Sequence, residues 1–91
     1  MRLIAVSKGQ YDIYAGRPGK FGNPFIIGQD GTREDVIRQH DEYLNKHPEL
    51  VEEFKQKCQA LKIETVRIKC FCVPLPCHID NYIRRIESIP L

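Results

Sequence analysis

The sequence predicts a small α/β layer domain with its elements in the order β-β-α-α-β-α. Three observations lead there. Two short β-leaning runs open the chain, apolar residues recur at helical spacing through its middle, and residues 65–72 alternate as a strand does. With 91 residues, a single domain spanning 1–91 is expected, because a second would have no core of its own.

The β-leaning runs are residues 2–6 and 11–15, joined by Ser7-Lys8-Gly9-Gln10 as a hairpin turn or a loop. Next comes Gly16-Arg17-Pro18-Gly19-Lys20-Phe21-Gly22-Asn23-Pro24-Phe25, whose three glycines and two prolines forbid regular structure. Asp30-Gly31 reads as a turn and Thr32 as a helix N-cap, with Glu34 and Asp35 in the first turn where the helix dipole favours acids. The first helix is expected over 33–46, with Val36, Ile37, His40, Tyr43 and Leu44 at apolar spacing. Pro48 breaks it and opens a second helix, where Leu50, Val51, Phe54, Cys58 and Leu61 form one face. Cys58 on that stripe reads as a buried core thiol. In the strand at 65–72, Val66, Ile68, Cys70 and Cys72 share a face, and Arg67, Lys69 and Phe71 share the other. Val73-Pro74-Leu75-Pro76 stops it. A last helix is expected over 78–87, with Ile79, Tyr82, Ile83 and Ile86 on its apolar stripe.

Composition narrows the class. An apolar content of 42% and a charged content of 29% fit a folded globular chain rather than a disordered one. No apolar run approaches the ~20 residues of a membrane helix, and the apolar stretch at the start is too short for a signal peptide, so a cytoplasmic protein with no membrane partner is expected. The net charge of +2 is weak for a nucleic-acid binder. Residues 1–29 carry four basic groups against one acid, residues 30–64 six against nine, and residues 65–91 four against two. If the ends fold together they make a mildly positive face.

Three of the four cysteines fall within eight residues, as Cys70-x-Cys72-x4-Cys77-His78. That crowding is poor loop-closing geometry and better suited to a metal site or a reactive thiol. Two residues apart on a strand, Cys70 and Cys72 point the same way, about 7 Å apart. The proline-rich turn returns Cys77 and His78 to a helix start, whose free N–H groups stabilise a thiolate. Three readings compete. Cys70, Cys72, Cys77 and His78 suit zinc by ligand type, although the spacing matches no common finger and adjacent Cys77 and His78 point in different directions on a helix. Cys77 is otherwise the best candidate nucleophile or anion contact, with His78 or Asp80 as polar neighbour. The third reading makes Cys70 and Cys72 small core residues and His78 a local cap.

The loop at 16–25 is the second motif. Its glycines, Gly22 among them, let backbone N–H groups approach a phosphate or planar ring, and Arg17 and Lys20 bring positive charge. It is neither a Walker loop nor a dinucleotide fingerprint, and a purely structural loop is the alternative. Asn23 is placed to accept backbone bonds in a tight turn. Arg33 opposes the helix dipole, which a bound anion or a carboxylate partner would explain; a surface arginine is the plain alternative. Joined together, Arg17, Lys20 and Arg33 would line an anion-friendly rim over Cys72, Cys77 and His78.

Four blocks stand in order over nearly the whole chain: Ile13-Tyr14-x-Gly16-Arg17-Pro18, Gly22-Asn23-Pro24-Phe25, Gly28-x-Asp30-Gly31-Thr32-Arg33-Glu34 and Cys70-x-Cys72-x-Pro74-x-Pro76-Cys77-His78. By these blocks the chain resembles the domain of unknown function 4326 family of short bacterial and phage proteins. The resemblance implies that Arg17, Asn23, Arg33, Cys72, Cys77 and His78 belong to the family pattern. Phe71 fits the aromatic between the first cysteines. Ile79-Asp80 replaces the usual Gly-Asp, adding a side chain where a ligand would approach the backbone.

Two kinds of function are expected. One is a site for a small anionic ligand, such as a nucleotide, nucleoside or other phosphorylated molecule, with Cys77 or His78 near the reacting atom. The other is an interaction module for a host protein or nucleic acid, with or without a zinc staple.

Overall fold

In a computed structural model describing residues 1–17, 19–70, 75 and 77–87, the chain forms β1 (Arg2–Val6), β2 (Ile13–Tyr14), α1 (Arg33–Lys46), α2 (Pro48–Ala60), β3 (Thr65–Lys69) and α3 (Ile79–Glu87). The order is the β-β-α-α-β-α expected from sequence. The described strands make one sheet, ordered β1-β3-β2, with both outer strands parallel to β3.

The link between β1 and β2 is therefore not a hairpin. β1 pairs with β3 from Arg2↔Thr65 to Val6↔Lys69, while β2 pairs along the other edge at Ile13↔Ile68 and Tyr14↔Lys69. Six linking residues reach up to ~20 Å, enough to cross the ~10 Å between strands flanking a third. Asp12 pins the far side. Its carboxylate accepts from the Arg67 backbone N–H at 2.8 Å, which holds that carboxyl below its ordinary range.

Local chemistry explains the helices. Thr32 and Asp35 form a reciprocal capping box at the start of α1, with Glu34 and Asp35 in its first turn. Pro48 opens α2, where its missing N–H costs nothing. α2 stops at Ala60, so Leu61 lies beyond the helix and is 40% exposed, off the apolar face expected for it. α3 packs on β1 and touches both other helices. Arg84 and Arg85 both reach the Asp41 carboxylate on α1, at 2.7 and 2.9 Å.

The core lies among these elements. Leu3, Val66 and Ile68 from the sheet meet Leu44, Phe54, Cys58, Ile79 and Tyr82 from the helices. Phe54 stacks on Tyr82 at 4.5 Å, and Phe21 packs edge-on to both. Cys58 is fully buried, and burial pushes its thiol up to about 11, as befits a core cysteine. No helix among the described residues is long and apolar enough to cross a membrane.

Candidate functional site

Parallel pairing sends β2 and β3 out of the sheet side by side. Ala15 N–H donates to the Lys69 carbonyl at 3.0 Å, and Cys70 N–H to the Val6 carbonyl at 3.0 Å. The loop that follows β2 begins at Gly16. Beyond carboxyl ends of this kind, open α/β sheets place their ligands. A cavity of about 330 Å³ lies there, and Arg17, Asn23, Arg33, Cys70, Cys77 and His78 all line it.

Each reaches the cavity by a different route. The loop after β2 makes two successive turns, Gly19 N–H to the Gly16 carbonyl and Gly22 N–H to the Gly19 carbonyl, both 3.0 Å. Tyr14 OH fastens this loop by donating to the Arg17 carbonyl at 2.7 Å. The Arg17 guanidinium makes long bonds, 3.5 Å each, to the carbonyls of Asn23 and Phe25. Asn23 itself is a bracket. Its carboxamide oxygen accepts from Phe25 N–H at 3.0 Å and its amide donates to the Val36 carbonyl at 3.1 Å, tying the loop to α1. Arg33, the first residue of α1, shares its helix face with Val36 and Ile37, which also line the cavity.

Two expected ligand contacts lie elsewhere. The Lys20 ammonium sits 2.9 Å from both carboxylate oxygens of Glu53, and Lys20 does not line the cavity. Long-range pairing with α2, invisible in the local sequence, has claimed its charge. Gly22 does not line it either. A Cβ there would stand 3.0 Å from the Arg17 nitrogen and the Gly16 carbonyl, so the missing side chain admits the loop's own backbone rather than a ligand. Cys72, with Phe71, lies outside the described residues.

Cys77 and His78 converge instead of diverging as adjacent helical residues would. α3 begins only at Ile79, which frees both side chains from helical directions. Cys77 Sγ is 3.4 Å from His78 Nδ1 and 2.7 Å from Cys70 Sγ. On the other side of the ring, His78 Nε2–H donates to the carbonyls of Ala15 at 2.8 Å and Phe21 at 3.0 Å. Carbonyls only accept, so the neutral ring carries its proton on Nε2 and turns the lone pair of Nδ1 toward Cys77. Burial holds the His78 pKa below its ordinary value, against the pull of those two carbonyls, and the Arg17 charge adds to the lowering. His78 is thus held by the loop after β2 and is no local cap. Asp80 fills that role by accepting from Cys77 N–H at 3.2 Å.

A second histidine backs the first. His40 from α1 is buried with its ring edge-on to His78 at 5.0 Å, and its Nδ1 accepts from the Asn81 amide at 3.1 Å. Its helical spacing marked it only as core. The apolar wall formed by Phe25, Ile26, Ile27, Val36 and Ile37 was likewise not marked as part of a site, although Val36 and Ile37 stand three and four positions after Arg33. Ile79 is fully buried in the core and does not line the cavity.

Among the described residues, no group of three or more His, Cys, Asp or Glu side chains is arranged to hold a metal ion. No curated protein and no solved structure matches the chain. Residues 4–88 match the family model described as Domain of unknown function (DUF4326), and the chain belongs to that family.

Proposed function

We propose that the cavity binds a small phosphorylated ligand of the nucleotide or nucleoside class, with Cys77 the candidate nucleophile beside the reacting atom and His78 its proton acceptor. The observation that carries this reading is that Arg17 and Arg33 share one cavity with Cys77 and His78. Two guanidiniums suit a phosphate, which they bind in a forked geometry. Phe25, Val36 and Ile37 offer an apolar wall to a base or sugar. The volume lies at the small end of the usual range for ligand sites. His78 Nδ1, its lone pair turned to Cys77 Sγ, is the base such a nucleophile needs.

The test is titration calorimetry of the full chain with inorganic phosphate, ribose 5-phosphate and the ribonucleoside 5′-monophosphates. At least one phosphorylated probe is expected to bind, with a tenfold or greater loss in both Arg17→Ala and Arg33→Ala. The absence of binding by every probe overturns the reading. Cys77→Ser is expected to abolish turnover of a bound substrate while leaving the fold intact.

Exposure of Ile26 and Ile27, 40% and 48%, favours a second reading, an interaction module that docks on a host protein or nucleic acid. Zinc held by Cys70, Cys72, Cys77 and His78 would then be a staple. Native mass spectrometry of protein purified without chelator detects the metal, and salt-dependent retardation of DNA or RNA detects the nucleic acid.

A further inference from the structure

We propose that Cys70 and Cys77 are an oxidisable pair, a modification site at which hydrogen peroxide entering the cavity produces an intramolecular disulfide. Both thiols are almost wholly buried, at 1% and 2% exposure, yet both line the cavity, so a small oxidant reaches them from there. Their sulfurs are 2.7 Å apart, and a bond at about 2.05 Å needs only a sub-ångström approach. Cys77 has a proton acceptor in His78 Nδ1 at 3.4 Å. Cys58 does not line the cavity, burial pushes its thiol up to about 11, and it serves as the internal control.

The chemistry balances in two steps. Cys77 passes its proton to His78 Nδ1, and its sulfur attacks one peroxide oxygen. The O–O bond breaks, the departing hydroxide takes that proton and leaves as water, and Cys77 becomes a sulfenic acid. The Cys70 sulfur then attacks the Cys77 sulfur. The S–O bond breaks, and the second hydroxide leaves as water with the Cys70 proton. The cysteine pair loses two electrons and the peroxide gains them. This chemistry holds whichever ligand the cavity takes, so failure of phosphate binding leaves it standing.

The full chain is treated with stoichiometric hydrogen peroxide, its remaining thiols are alkylated, and its peptides are mapped by mass spectrometry. The expected product is a Cys70–Cys77 cross-link, reversed by a dithiol reductant, with Cys58 alkylated as before. In Cys70→Ala, a sulfenic acid trapped by a 1,3-dione is expected on Cys77. A cross-link through Cys72, a sulfenic acid trapped on Cys72, or no cross-link in the wild-type protein overturns the proposal. The wild-type map decides alone if Cys70→Ala does not fold.

Discussion

The Cys77 thiol donates to His78 Nδ1 across 3.4 Å, and the far side of the ring dictates that direction. Nε2 is committed to the Ala15 and Phe21 carbonyls, so Nδ1 can only accept from a neutral neighbour. The Cys70 sulfur lies 2.7 Å from the same Cys77 sulfur. The imidazole thus links the Cys77 thiol to two backbone carbonyls. His78→Gln keeps an amide able to reach those carbonyls but removes the base. It is expected to slow alkylation of Cys77 by about a hundredfold, read by mass spectrometry at neutral pH. An unchanged rate would show that the imidazole does not activate the thiol.

Acid should weaken the fold well above the carboxylate range. Burial lowers His40 from 6.5 to about 3, with the His78 charge adding to the effect. Above pH 6.5 the ring is neutral in both states, so it makes no difference to stability. As pH falls, the unfolded chain takes up a proton that the native chain refuses, and stability is lost progressively down to the folded pKa near 3. The loss is about 1.4 kcal/mol per pH unit within that window. His78, lowered in the same direction, adds to it. Urea midpoints at pH 7, 6 and 5 measure the slope, and His40→Gln should flatten it. A flat wild-type profile would contradict the buried neutral pair.

Phe54→Ala should cost about 3–5 kcal/mol. The ring is fully buried, stacked on Tyr82 and met edge-on by Phe21, so truncation leaves a cavity bounded by two rigid rings. Denaturant unfolding gives the value, and a loss below 1 kcal/mol would mean that the core closes around the gap.

Asn23→Ala should cost about 1–3 kcal/mol, because it leaves the Phe25 N–H and the Val36 carbonyl without their side-chain partner. The same change loosens the loop that carries Arg17, so phosphate-probe affinity should fall along with stability. Intact affinity in a destabilised variant would separate the bracket from the site.

Lys20→Ala should leave both stability and ligand binding nearly unchanged. Its bond to Glu53 is a surface ion pair, worth at most about 1 kcal/mol, and it lies off the cavity. Arg17→Ala, by contrast, should lose ligand affinity tenfold or more. Equal losses in the two variants would put Lys20 back on the rim.

The amino-acid sequence by itself determined what depends on neighbours along the chain. Thr32 and Asp35 cap α1, Pro48 starts α2, and alternation in β3 buries Val66 and Ile68, because these effects act within a few residues. The family blocks and the chemistry of Arg17, Arg33, Cys77 and His78 were legible in the same way. Strand partners were not, since β1 and β2 choose opposite edges of β3 through contacts more than fifty residues away. Only the tertiary structure gave Lys20 to Glu53, set Gly22 against its own loop and brought Arg33 over the sheet's carboxyl end. It also decided the tautomer of His78, through carbonyls supplied from the other end of the chain. A side chain's chemistry is local, whereas its proton, its partner and its access to a cavity are set by whatever the fold packs against it.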